Sequence, residues 1–381
     1  MEDNNLRKLI KIILAVKACI FLVILIGHYL FPFNYYSHLI NFNYPSNAAI
    51  NLETGFKTWD AQHYIFLAEK GYAPHQMSNA FSPLFPCLIG LGRIFLGGNS
   101  LVAGLFLSNL FSFTAIIFFY LFVKKMFDAP AALAASILFL SFPTSFFLGL
   151  VYSESLFIML VMIFFYCLYQ NKVWPVLITG WLLPLTRPQG ILLLVPVLIR
   201  AFPIRPNSQK KIFLAAPVML LGGFASYLFF MKYYTGDYFS GLAAQQYFVS
   251  GYSIGNMAAL PAWFVRNFTA ALRFHGFTNS LIDRSFFVVF ILLLYPIFRK
   301  LDKTLFVYAL VMALVPVLAG SFMSYTRYLL PVFPIFMVLA VLLKEKYLYL
   351  AIPMFVVQIL CLLAHSLNFW IARLTNFLGV V

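Results

Sequence analysis

The chain has 381 residues, of which 63% are hydrophobic and 10% charged, with a mean hydropathy of +0.91. A soluble domain carries about a quarter of its residues as Asp, Glu, Lys and Arg, so this composition excludes cytosolic enzymes, disordered scaffolds and soluble DNA-binding domains and predicts an all-α polytopic membrane protein. In that setting the formal net charge of +15 is read first as a record of which loops face the cytoplasm, and no nucleic-acid partner is expected.

A membrane span needs about 20 apolar residues. In chain order, good single spans cover residues 9–31, 100–123, 131–150, 152–170, 211–234, 285–299, 304–322, 326–343 and 347–366. The first is long enough to remain as an anchor and lacks a small-residue cleavage site, so no cleavable signal peptide is expected. Two segments resist this division. Residues 83–97 are short and carry Arg93, and residues 174–200 are interrupted by Pro184, Arg187 and Pro188.

The basic clusters Arg7/Lys8/Lys11, Lys124/Lys125, Lys172, Arg200/Arg205/Lys210/Lys211, Arg299/Lys300/Lys303 and Lys344/Lys346 hold fifteen of the 26 Lys and Arg residues, and they belong on one side of the membrane. A span at 83–97 would move Lys124 and Lys125 to the other side, so that segment is predicted to lie as an interfacial helix on the outer face. By the same parity residues 174–200 start and end inside, as a broken pair of half-helices, 174–185 and 188–200, with Arg187 at the tip. The expected architecture is a single integral membrane domain over 1–381, with about eleven membrane helices, the N-terminus in and the C-terminus out. Two outer loops, 32–99 and 235–284, contain YIFLAEKGY and GLAAQQYFVSGY, which read as interfacial amphipathic helices. No internal repeat is visible, which weighs against transporter folds built from paired halves.

The densest polar cluster of the first outer loop is Thr58-Trp59-Asp60-Ala61-Gln62-His63-Tyr64. On a helix, Asp60 and His63 stand at i and i+3, so a carboxylate and an imidazole could converge on one substrate hydroxyl. Helix capping by Thr58 or Asp60 and an aromatic belt at Trp59 and Tyr64 is the plainer reading. Glu154, in Tyr152-Ser153-Glu154-Ser155, sits between two apolar runs and must be near the surface, paired or facing a wet cavity. Arg187, in Thr186-Arg187-Pro188-Gln189-Gly190, is a permanent cation partway into the bilayer that needs an anion, either Glu154 or a lipid phosphate. Arg327, in Ser324-Tyr325-Thr326-Arg327-Tyr328, is a second phosphate candidate or a snorkelling interfacial arginine.

Gln245, Gln246 and Asp237 are weaker sugar-binding candidates. His28, His38, His275 and His365 lack ligand spacing, and Cys19, Cys87, Cys167 and Cys361 form no CxxC or Cys/His pattern, so no metal is expected and the cysteines read as packing residues. Walker A, GxGxxG and HExxH patterns are missing, which removes ATP-driven, dinucleotide and zincin readings; no cofactor is expected.

Trp59-Asp60-Ala61-Gln62-His63-Tyr64, then Ala68-Glu69-Lys70-Gly71-Tyr72, then Phe81-Ser82-Pro83-Leu84-Phe85-Pro86 resembles the opening motif succession of the PIG-V-like mannosyltransferases. Tyr152–Phe157, Thr186–Gly190 and Arg327–Pro331 resemble that family's later blocks in order, so the likeness runs from about residue 55 to 335. Where family members often carry a glutamate shortly after the Gly-Tyr pair, this chain reads Ala73-Pro74-His75-Gln76-Met77-Ser78-Asn79.

The resemblance implies a GT-C type fold and an inverting glycosyltransferase that takes a sugar, mannose by the likeness, from a polyprenyl-phosphate donor on the extracytoplasmic side. It implies Asp60 as general base with His63 orienting it or the acceptor, Arg187 and Arg327 as donor-phosphate ligands, Glu154 as orienting either an arginine or a sugar hydroxyl, and Trp59, Tyr64, Gln189 and Tyr325 as further substrate-orienting residues. The partners implied are the donor, a lipid, glycan or protein acceptor, and membrane lipids. The expected location is a bacterial inner membrane, or the endoplasmic reticulum in a eukaryote. A polyprenyl-lipid flippase and a catalytically inactive GT-C-like subunit stay open as alternatives.

Overall fold

The computed structural model describes residues 4–46, 49–201, 207–248, 253, 255–269 and 280–369. His275 and Arg205 therefore lie outside the described residues, as does part of the second outer loop. Five stretches are long and apolar enough to cross a membrane: Asn4–Leu30, Ser100–Met126, Ile212–Thr235, Leu281–Lys300 and Pro334–Ser366. Shorter apolar helices, Ala129–Ser141, Glu154–Leu168, Val173–Thr186 and Lys303–Ala319 among them, fill the space between. The described residues form an all-α integral membrane architecture.

Several helices end at prolines, and these ends shape the site. The 131–150 run divides into the helix Ala129–Ser141 and a 3-10 turn, Ser145–Gly149, because Phe142 precedes Pro143 and is held extended at φ −60°, ψ 139°. Steric conflict between a proline ring and the preceding residue disfavours the helical region there. The same rule acts on Arg187. It precedes Pro188, takes φ −151°, ψ 133°, and separates the helix Val173–Thr186 from the 3-10 stretch Pro188–Leu193 and the helix Leu194–Ala201. The 326–343 run is likewise divided, into a single turn Tyr325–Tyr328 and the helix Pro334–Leu343. Irregular backbone of this kind is tolerated at membrane depth only where protein or a water-filled cavity surrounds it.

Packing between the helices relies on small residues and on aromatic contacts, since lipid offers no hydrophobic incentive for helices to associate. Ala132 to Ser141 are all buried, and the alanines at 132, 134 and 135 let the neighbouring helices approach. A Cβ on Gly223 would fall 2.1 Å from the Trp181 carbonyl oxygen, so the helix pair Val173–Thr186 and Asn207–Thr235 touches backbone to backbone there. Phe165, Tyr308 and Phe333 form a mutual ring cluster with centroids 4.7–5.4 Å apart, at the centre of the bundle.

The helix Glu154–Leu168 provides an axis, about 22 Å long at 1.5 Å per residue. Beyond its C-terminal end Tyr169 donates to Asp302 at 2.5 Å and lies beneath the Arg200 guanidinium, which is 3.8 Å from the ring centroid and pairs with Asp302 at 3.3 Å. At its N-terminal end stands Glu154.

Candidate active site

Four ionised side chains from four separate parts of the chain meet at that N-terminal end. Glu154 is 2% exposed, and its Oε1 accepts from Arg187 Nη1 at 2.6 Å and from Arg327 Nε. Arg327 Nη1 reaches onward to Asp60 Oδ2 at 2.6 Å. Arg187 Nε donates to Gln189 Oε1 at 3.1 Å. The result is an alternating chain, Arg187, Glu154, Arg327, Asp60, with balanced charge.

Each member is placed by local structure. Asp60 is the first residue of the helix Asp60–Lys70, entered through Trp59 at a positive φ of 57°. Arg327 lies on the one-turn helix that follows Ser324, itself left-handed at φ 57°. That turn is gripped from outside: buried Asp283 accepts from Thr326 N at 3.1 Å and from its Oγ1 at 3.2 Å, and Thr144 Oγ1 donates to the Thr326 carbonyl. The Arg327 guanidinium carbon stands 4.6 Å from the Phe147 ring centroid and 4.8 Å from that of Tyr152, a cation–π seat on two rings.

The cluster forms one wall of a cavity of about 510 Å³, large enough for a substantial ligand headgroup. Trp59, Asp60, Tyr64, Arg187, Gln189 and Arg327 all line it, so six of the residues singled out in the sequence converge there. Tyr64 is held by a 2.6 Å bond between its hydroxyl and Ser153 Oγ. Glu154 sits behind the two arginines, outside the main cavity lining. It is placed to orient those cations, the first of the two roles open to it.

Two expectations need correction. His63 does not face the cavity: its ring is stacked between Phe42, at 4.1 Å, and Phe81, at 4.7 Å, and Nδ1 bonds Ser78 Oγ at 2.8 Å. Burial holds its imidazole down to about 4, with Asp60 a weaker opposing influence. Its position makes it a packing residue beneath the Asp60 turn. Tyr325 also points away. It is fully buried between Phe287 and Phe322, at 5.6 and 6.0 Å, and contributes to the core.

The structure adds residues that the motifs did not single out. Gln245, considered weak, lines the cavity while its amide donates to the Ala80 carbonyl at 2.7 Å. His365, discounted for want of ligand spacing, lines it as well, and its Nε2 lies 3.1 Å from the Tyr152 hydroxyl. Tyr152 in turn donates to the Thr58 carbonyl at 3.0 Å, two residues before Asp60. Gln245 gave only a weak signal in sequence, and His365 none, because it approaches Tyr152 from a helix more than 200 positions away. Among the described residues no group of three or more His, Cys, Asp and Glu side chains converges as a metal site.

Comparison with known proteins agrees with this architecture. The protein-family model of Mannosyltransferase (PIG-V) matches residues 7–188. ArnT from Cupriavidus metallidurans, solved bound to undecaprenyl phosphate, is similar over 96% of this chain and 77% of its own, with 10% identity and a TM-score of 0.52. The oligosaccharyltransferase of Archaeoglobus fulgidus, solved in complex with Zn and sulfate, matches over 93% of this chain with 14% identity and a TM-score of 0.48. The chain spans 53% of that oligosaccharyltransferase, about half its length. No match was found among curated proteins. Residues 7–188, with Asp60, Glu154 and Arg187 among them, are similar to the PIG-V mannosyltransferase family, and the chain as a whole has a GT-C type membrane fold.

Proposed function

We propose that the chain is an integral membrane glycosyltransferase that moves mannose from a polyprenyl-phosphate donor to an extracytoplasmic acceptor with inversion. The observation that carries this reading is the Arg187–Glu154–Arg327–Asp60 chain, whose two arginines and Asp60 line a large cavity. A polyprenyl-phospho-sugar arrives with its leaving group attached. The protein then needs a base for the acceptor hydroxyl and cations for the departing phosphate. A guanidinium has five N–H donors, so each arginine retains donors after its carboxylate contacts and can turn them toward phosphate oxygens.

In the proposed step the acceptor oxygen bonds to the anomeric carbon from the face opposite the phosphate. The bond to the phosphate oxygen breaks, its electrons stay on the phosphate beside Arg187 and Arg327, and the hydroxyl proton passes to Asp60. Glu154 sets the angle of both cations, while Trp59, Tyr64 and Gln189 shape the sugar's seat. Undecaprenyl phosphate bound to ArnT supports a donor of the same class here. The Asp302 cluster at the opposite end of the helix Glu154–Leu168, among the basic segments, supports an outward-facing cavity.

The test is purified protein in nanodiscs given polyprenyl-phosphate mannose and candidate acceptors. Wild type is expected to yield mannosylated product or hydrolysed donor. Asp60→Asn should remove transfer while the protein stays folded, and near-normal turnover in that variant refutes the mechanism. Arg187→Ala should raise the donor KM more than the acceptor KM; an unchanged donor dependence removes Arg187 from the site. A cysteine at Gly98 should label from outside, and labelling from the cytoplasm contradicts the topology.

A further inference from the structure

The cavity wall beside Arg327 is aromatic, formed by Phe146, Phe147 and Tyr152, and His365 brings a polar group into it. The hydrogen bonds around that imidazole determine its protonation. The Tyr152 hydroxyl has one proton and two neighbours, the Thr58 carbonyl oxygen at 3.0 Å and His365 Nε2 at 3.1 Å. A carbonyl can only accept, so the tyrosine proton points to Thr58. His365 must then donate from Nε2 to the tyrosine oxygen. In a neutral ring that leaves Nδ1 without a proton, as an acceptor, and no hydrogen bond from the described residues reaches it.

We propose that His365 is an acceptor-binding residue: its Nδ1 receives a hydrogen bond from a second, non-reacting hydroxyl of the acceptor, while Asp60 takes the proton of the hydroxyl that attacks. Apolar pockets orient their ligands through a few fixed polar atoms, and this nitrogen is such an atom on a wall of rings. The fixing runs through Tyr152 and Thr58 to the turn that carries Asp60, so the two hydroxyl-binding points are held in register by one hydrogen-bonded path. The inference rests on the glycosyl-transfer reading above, and it adds a selectivity: acceptors with at least two hydroxyls are favoured over simple alcohols.

Two measurements separate this inference from the reading beneath it. The first is nitrogen NMR of protein carrying 15N-histidine in nanodiscs, with the His365 signals assigned by their loss in His365→Gln. A neutral ring protonated on Nε2 is expected, Tyr152→Phe should mix the two tautomers, and octyl mannoside should move the Nδ1 signal. Protonation on Nδ1, a tautomer indifferent to Tyr152→Phe, or an Nδ1 signal unmoved by the probe overturns the inference, whatever the enzyme transfers. The second is turnover with polyprenyl-phosphate mannose as donor. His365→Gln should raise the KM for octyl mannoside about 3- to 10-fold, the worth of one neutral hydrogen bond, and shift that for n-octanol, which has a single hydroxyl, less than twofold. Equal shifts for both probes overturn the inference. Absence of transfer by wild type overturns the glycosyl-transfer reading, and with it the role of His365 in that reaction.

Discussion

Glu154→Gln removes one charge from the centre of the four-residue chain with little change of shape. Deleting one partner of a buried ion pair typically costs about 3–5 kcal/mol, because the remaining charge stays desolvated without compensation. Here two cations lose the same carboxylate, but unequally. Arg327 keeps Asp60 at 2.6 Å and its seat on two rings, whereas Arg187 keeps the Gln189 amide and an 18% exposed edge on the cavity. The expected loss is therefore at the lower end, about 3 kcal/mol, and most of it belongs to Arg187. Combining Glu154→Gln with Arg187→Gln should restore part of it, with a coupling of about 1–3 kcal/mol between the two positions. Reversible unfolding of the four proteins of this cycle in mixed micelles measures both quantities. A Glu154→Gln protein within about 0.5 kcal/mol of wild type, or a double variant whose loss equals the sum of the singles, would refute the claim that Glu154 anchors the cations.

The pH response follows from His63, whose imidazole is held at about 4 against an ordinary 6.5. Between those values the unfolded chain binds more protons than the folded one, so this group's contribution is complete above about pH 6.5 and lost as the pH falls toward 4. Its full worth is roughly 3 kcal/mol. Unfolding measured over that window should show the dependence in wild type and a flatter profile in His63→Phe; parallel profiles would contradict the buried, neutral ring. Gly223→Ala should destabilise by about 1–3 kcal/mol, since its methyl would meet the Trp181 backbone, and a thermal melt equal to wild type would show that the two helices separate freely.

Much of the helical plan was legible because apolar run length and proline position act locally. The pre-proline rule alone accounts for the breaks at Phe142 and Arg187. The Glu154–Arg187 pair was legible too, as one of two partners open to a cation at membrane depth. Arg327 was foreseen as a cation but not as the bridge between two carboxylates, since that position depends on Asp283 gripping Thr326 from another helix. Helical spacing set Asp60 and His63 together, yet spacing does not say what covers a face. Phe42 and Phe81 cover His63, and they come from loops with no periodic relation to it. Tyr325 stood inside a polar motif and was read with its neighbours, whereas a one-turn helix directs adjacent side chains to opposite surroundings.

The order in which the four charges leave the ribosome differs from the order in which they bond. Glu154 and Arg187 are separated by the two helices Glu154–Leu168 and Val173–Thr186, but Arg327 follows Glu154 by 173 residues. At translation rates of 5–20 residues per second, Arg327 emerges on the order of 10–30 s after Glu154. Through that interval the Glu154–Arg187 pair alone must make a carboxylate tolerable to the inserting bundle. Any nascent chain cut short before Arg327 would carry the early pair with Asp60 unbridged, a half-assembled charge arrangement by which membrane quality control could tell it from the finished protein.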